Sequence, residues 1–65
     1  MDKKITFVFR ASRDGPELVS YEFPVESRSE TAKALERALD KFDSEHPKII
    51  CSTIEIRYPP GLNDA

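Results

Sequence analysis

The sequence has little of the residue types on which catalytic and metal sites depend. Its 65 residues include one cysteine, Cys51, one histidine, His46, and no tryptophan. A single cysteine excludes an internal disulfide, and one cysteine with one histidine disfavours a zinc site built by this chain alone. No sequence pattern places a general base beside a nucleophile. We therefore expect no enzymatic activity, no cofactor and a reducing compartment, most simply the cytoplasm.

The chain also lacks an excess of basic residues and a long apolar run. Ten Lys and Arg stand against twelve Asp and Glu, so the formal net charge is −2. This balance argues against binding to a nucleic-acid backbone as the main task, because that task favours a basic stripe. No apolar run approaches the roughly 20 residues of a membrane-spanning helix. We expect a soluble protein without a membrane partner.

What the chain does contain is three segments of alternating apolar and polar residues and one segment with helical periodicity. The alternation predicts strands over Ile5–Ala11, Leu18–Val25 and Ile49–Tyr58. A capping box that starts at Ser27 predicts the beginning of a helix, and Pro47 predicts its end. The predicted apolar stripe of this helix consists of Ala32, Leu35, Ala38, Leu39 and Phe42.

The strand order follows from one connection and one proline. A strand–helix–strand crossover makes the third strand parallel to the second. Pro24 cannot donate a ladder hydrogen bond, so we expect the second strand at an edge and the third strand beside the first. The predicted fold class is α+β: a three-stranded antiparallel sheet of order 2-1-3 with one helix packed on one face, ββαβ. It covers residues 1–58, and residues 59–65 are expected to form a flexible tail. The side chains predicted to face the helix are Ile5, Phe7, Phe9, Val19, Tyr21, Phe23, Ile54 and Ile56.

One helix covers only one face of a sheet, so the opposite face must meet water or a partner. We expect this open face to have an apolar centre and a charged rim, as in a modest protein interface. The candidate partner-binding residues are Thr6, Val8, Arg10, Glu22, Cys51, Thr53, Glu55 and Arg57. A solvated face that tolerates a few apolar side chains is the alternative interpretation.

The third strand is a second candidate surface, because it would lie at an edge and has no proline inside it. Such an edge is either protected or used, by strand addition to a partner or by pairing with a second copy. Lys48, Glu55 and Arg57 would protect it if they serve only as charged gatekeepers against aggregation.

One family resemblance rests on two short runs. Tyr21-Glu22-Phe23-Pro24-Val25 precedes a capped helix rich in Ala and Leu, and the last strand ends in Arg57-Tyr58-Pro59. This layout resembles the small RNA polymerase inhibitor of T-odd short-tailed coliphages, which has a similar length and element order. That inhibitor relies on arginines at the end of its last strand, where this chain offers Arg57 alone. The resemblance implies a phage-type protein that binds and blocks a larger host protein, such as RNA polymerase or a defence nuclease.

The sequence therefore favours a small non-enzymatic protein-binding module, and two other classes stay open. A homodimeric structural module would pair through its edge strands. A nucleic-acid-associated regulator would use basic residues, and its affinity would fall steeply with salt. The basic residues available for that role are Lys3, Lys4, Arg10, Arg13 and Arg57.

Overall fold

The computed structural model describes residues 3–62 of the chain. Its elements in chain order are β1 (Lys4–Arg10), β2 (Glu17–Pro24), a short 3-10 turn (Arg28–Glu30), α1 (Thr31–Glu45) and β3 (Thr53–Arg57). The sheet has the order β2-β1-β3, and β1 pairs antiparallel with both neighbours. The helix packs on one face of this sheet. The predicted ββαβ fold of the α+β class is confirmed. No helix in the described part of the chain is long and apolar enough to cross a membrane.

The hydrophobic core lies between α1 and the side of the sheet that faces it. Phe9 is at its centre, where its ring stacks on Phe42 at 4.7 Å between centroids and meets Tyr21 edge to face at 5.7 Å. Aromatic pairs in these geometries add to the gain from burial alone. The buried core residues are Ile5, Phe7, Phe9, Tyr21, Val25, Ala34, Ala38 and Phe42. The predicted placement of the β1 apolar side chains against the helix is confirmed.

The predicted helix start is confirmed by the hydrogen bonds around Glu30. Its carboxylate accepts from the backbone amides of Ser27, at 3.0 Å, and Glu26, at 2.6 Å. These bonds satisfy amides that have no intrahelical partner. At the other end the His46 amide donates to the Phe42 carbonyl at 2.7 Å, and Pro47 follows.

The predicted apolar stripe of the helix is wrong at two positions. Ala34, which was not predicted, is buried with Ala38 and Phe42 at four-residue spacing, while Ala32 and Leu39 are exposed. The two small alanines allow the helix backbone to lie close to the sheet along this row. Of the neighbouring leucines, Leu35 is partly buried and packs against the core, while Leu39 lies at the side of the helix.

The third strand is shorter than predicted. It begins at Thr53 rather than Ile49, and Ile50 in the preceding connection is 86% exposed. The register explains the difference, since Thr53 pairs with Arg10, the last residue of β1. If the same register continued toward the N-terminal side of β3, Ile50 would lie opposite Arg13. Arg13 belongs to the turn between β1 and β2, so it cannot form strand-pairing hydrogen bonds with Ile50.

The chain after β3 stays close to the domain over its described part. Leu62 is partly buried and packs against the core, which differs from the flexible tail expected there. The Lys3 ammonium donates to the Gly61 carbonyl at 2.6 Å. Gly61 has a φ of 75°, a conformation that favours glycine. Residues 63–65 of the predicted tail lie outside the described residues.

Candidate protein-binding surface

The open face of the sheet carries all the predicted partner-binding residues except Cys51. The register places them on alternate positions of three neighbouring strands, opposite the side that faces the helix. They are Thr6, Val8 and Arg10 on β1, Glu22 on β2, and Thr53, Glu55 and Arg57 on β3. The pairings of Val8 with Ser20 and with Glu55 place it in the middle of this face.

The centre of the open face is not an exposed apolar patch, contrary to the sequence expectation. Val8 is 1% exposed although no helix or strand among residues 3–62 covers this face of the sheet. Its strand is central, so side chains from both neighbouring strands close around it. The accessible surface here is mostly polar or charged, with the exposed Ser20 and Glu22 on one side and Arg57 on the other, and Leu18 of β2 is the exposed apolar exception at 39%.

Three charged side chains of the open face, Arg10, Glu55 and Arg57, form a cluster. The Glu55 carboxylate accepts a hydrogen bond from Arg57 Nε and lies 3.5 Å from Arg10 Nη2. Arg10 Nη1 also donates to the Gly15 carbonyl at 3.1 Å, which connects the cluster to the β1–β2 turn. The bond from Arg57, helped by both positive charges, holds the pKa of Glu55 below its ordinary value. The bond to Glu55 likewise raises the pKa of Arg57.

Cys51 does not belong to the open face. It precedes β3, and its side chain packs against the edge of the core. The thiol lies 3.3 Å from the Arg10 carbonyl and 3.1 Å from the Thr53 carbonyl. The prediction was wrong because it extended the strand alternation upstream of Thr53, where the chain is no longer paired as a strand.

The two sides of the helix differ in chemistry, and the side above β2 is covered by charged residues. Lys41 lies 5.3 Å from the centroid of the Tyr21 ring, and the Tyr21 hydroxyl donates to Glu45 at 2.8 Å. Nearer the start of the helix, Lys33 and Arg37 line a shallow cleft together with apolar residues at the end of β2. Long charged side chains therefore shield the apolar surface of β2 from solvent.

The side of the helix above β3 carries two leucines between polar residues. Thr31 Oγ1 lies 3.4 Å from the Tyr58 hydroxyl, and the Arg28 guanidinium lies 4.7 Å from the centroid of the same ring. The start of the helix is thus next to the end of β3. Leu35 and Leu39 follow Thr31 at four-residue intervals and so lie on the same side of the helix.

Apolar side chains remain exposed where this side of the helix meets β3. Leu39 is 41% exposed, Ile56 on the helix-facing side of β3 is 38% exposed, and Tyr58 is 41% exposed. Ile54, two residues before Ile56, is half-buried. We define the β3 flank as Leu39, Ile54, Ile56 and Tyr58 together with the outer backbone edge of β3. Among residues 3–62, β1 is the only strand that pairs with β3, so this edge is open.

Sequence reasoning identified the β3 edge but missed its apolar flank. Leu39 and Ile56 were both assigned to the core. The signal available in the sequence was an excess of apolar positions: the buried row of the helix ends with Phe42, and Leu35 and Leu39 form a second row beside it. A narrow helix face fully buries only one such row, so Leu35 is partly buried against the core and Leu39 emerges at one side.

The side chains that could act as a nucleophile or a general base, Cys51 and His46, make separate contacts. His46 packs on the ring of Phe42, with 5.4 Å between centroids. The Cys51 thiol instead donates hydrogen bonds to the backbone carbonyls of Arg10 and Thr53. Within residues 3–62, no group of three or more His, Cys, Asp and Glu side chains is placed to hold a metal ion. No protein-family model, curated protein or solved structure matches this chain.

Proposed function

We propose that this protein is a small non-enzymatic protein-binding module that acts through the β3 flank. The observation that carries the proposal is the exposure of Leu39, Ile56 and Tyr58 beside an unpaired strand edge. Backbone groups of an open edge bind an added strand, and neighbouring apolar side chains receive its alternate residues. The flank offers both components at one place.

The other surfaces support binding less well. On the open face, Val8 is covered, so the face has no accessible apolar centre, and Glu55 is already in contact with Arg10 and Arg57 of its own chain. The β2 edge ends in Pro24, which cannot donate to an added strand. Arg10 and Arg57 both lie against Glu55, which also weakens the case for a nucleic-acid interface.

The finer proposal is that the bound protein is a larger host enzyme and that binding blocks it, as the phage-type layout implies. Its site of action would be the bacterial cytoplasm. A module of 65 residues inhibits most simply by occupying a surface that its target needs. The first target to test is bacterial RNA polymerase, in a transcription assay with the purified enzyme. Inhibition that is lost with Ile56→Lys and kept with Ser20→Lys supports it, and unaffected transcription excludes this target.

Site-specific photo-crosslinking in cells tests the proposal without knowledge of the target. A benzoylphenylalanine placed at Ile56 lies in the flank, whereas the same group at Ser20 lies on the open face, and both positions are exposed. We expect a discrete adduct with another protein from position 56 and none from position 20. An adduct from position 20 alone would place binding on the open face, and no protein adduct from either position would contradict a protein-binding role.

A further inference from the structure

We infer that β3 of a second copy of this chain occupies the β3 flank, paired antiparallel about a two-fold axis at Ile56. The inference rests on the proposed function, since it names an occupant of the same surface. Dimer formation would also regulate binding, because a larger target would have to displace the second copy from the β3 flank before it could bind.

The residues around Ile56 are self-complementary in this register. Ile56 lies opposite Ile56 of the second copy, and Ile54 lies opposite Tyr58 of the second copy. Glu55 lies opposite Arg57 of the second copy, and the two-fold axis creates the same pair again. Cross-strand pairs of opposite charge and of apolar side chains stabilise antiparallel strands.

The neighbouring registers are less favourable. A pairing centred on Glu55 places two carboxylates directly opposite each other, and one centred on Arg57 places two guanidinium groups opposite each other. A pairing centred on Ile54 puts Thr53 opposite Glu55 and leaves Arg57 beyond the start of the second strand. Pro59 has no amide hydrogen, so it sets the end of the ladder just after Tyr58.

This register covers both parts of the flank. Directly opposite residues of antiparallel strands share a face, so the pairs of Ile56, Ile54 and Tyr58 lie on the helix side of the sheet, the side on which Leu39 is exposed. On the open face, each Glu55 lies between its own Arg57 and that of the second copy, which gives four charges of alternating sign. The product is a continuous six-stranded sheet with both helices on one side.

A complementary pair of charge variants tests the inference in solution. Glu55→Arg gives a chain with two arginines in the ladder, and Arg57→Glu gives a chain with two glutamates. Each variant alone should raise the dimer dissociation constant by about tenfold or more, measured by sedimentation equilibrium. An equimolar mixture should recover the wild-type constant as a heterodimer, because every cross-strand pair is then opposite in charge.

The matched control is Glu22→Arg, which makes the same change of charge on the same face but away from β3. It should leave the dissociation constant unchanged. Circular dichroism of each variant establishes that it is folded, and recovery in the mixture excludes unfolding as the cause of dissociation. A wild-type protein that stays monomeric up to about 1 mM, or a mixture that fails to associate, would overturn the inference.

A disulfide at the two-fold axis tests the register. In a Cys51→Ser background, Ile56→Cys places two thiols opposite each other at a spacing that a disulfide spans. This variant should form a disulfide-linked dimer in air, whereas Glu55→Cys should do so at least tenfold more slowly. The reverse order of rates would reject the axis at Ile56.

These outcomes separate the inference from the proposed function. If the protein is monomeric and position 56 crosslinks to a larger protein, the dimer is excluded and the protein-binding function is supported. If the protein is a dimer and position 56 crosslinks only to the second copy, the dimer is supported and a larger target at this surface is excluded. The masses of the adducts distinguish the two, because the chain alone is 7.4 kDa.

Discussion

The Tyr21 hydroxyl donates a hydrogen bond to the Glu45 carboxylate across 2.8 Å, and this contact joins β2 to the last turn of the helix. The Tyr21 ring is buried in the core, where it meets Phe9. The bond lies at the boundary between the core and the charged side of the helix above β2. It therefore sets the position of the end of the helix on the sheet.

Tyr21→Phe should keep the fold and lower its stability. The ring and its packing are retained, while the hydrogen bond to Glu45 is lost. A bond of this type contributes about 1 kcal/mol to the free energy of unfolding. Urea denaturation followed by circular dichroism measures the difference, and a Tyr58→Phe variant, with its more exposed hydroxyl, serves as a control with a smaller effect. Equal losses in the two variants would show that the Tyr21–Glu45 bond has no special role.

The stability of the wild-type protein should fall more steeply in alkaline solution than that of Tyr21→Phe, which has no hydroxyl to ionise at position 21. Burial, reinforced by the bond to Glu45, raises the pKa of Tyr21 from 10 to about 12. Because the folded pKa is the higher one, the stabilisation is complete below pH 10 and is lost as the pH rises through 12. The difference in melting temperature between the two proteins should shrink over this range. A difference that stays constant would contradict the prediction.

The cluster around Glu55 should make the fold sensitive to acid. The hydrogen bond from Arg57 lowers the pKa of Glu55 in the folded state. The stabilisation is therefore present above the unfolded pKa and is lost as the pH falls through the lower, folded pKa. Glu55→Gln should reduce this loss, whereas Glu36→Gln, on the exposed surface of the helix, should not. Thermal melts between neutral and acidic pH provide the measurement.

Val8→Asp should unfold the domain rather than remove a contact with a partner. Val8 is 1% exposed, so the substitution places a carboxylate where neighbouring side chains exclude water. We expect a loss of at least about 3 kcal/mol in the free energy of unfolding, a large part of the stability of a small domain. Ser20→Asp, at the exposed position paired with Val8, should stay folded. A well-dispersed NMR spectrum of Val8→Asp would contradict the observed burial.

The two apolar rows of the helix should respond differently to truncation. Phe42→Ala removes the ring that stacks on Phe9, and such changes cost about 3 to 5 kcal/mol. Leu39→Ala removes a side chain that is 41% exposed, so its effect should stay below about 1 kcal/mol. Denaturation of both variants under one set of conditions gives the comparison. A larger loss for Leu39→Ala would place the core on the β3 side of the helix.

The parts of the fold that the sequence predicts correctly depend on local signals. Alternation along β1, the capping box at Ser27 and the proline at position 47 each act within a few residues. The strand order was also accessible, because Pro24 excludes one arrangement and the crossover restricts the others. The first residue of β3 could not be predicted in this way, since it depends on where β1 ends in the pairing register.

The sequence by itself determined the three strands, the helix and their order, because these follow from residue spacing and from proline and capping chemistry. Only the tertiary structure decided which apolar side chains stay exposed. Val8 lies in the central strand and is buried, whereas Leu39 and Ile56 are exposed, since the helix buries the row of Ala34, Ala38 and Phe42 against the sheet. Burial of this kind is set by the distance between elements far apart in the chain, and no local pattern encodes that distance.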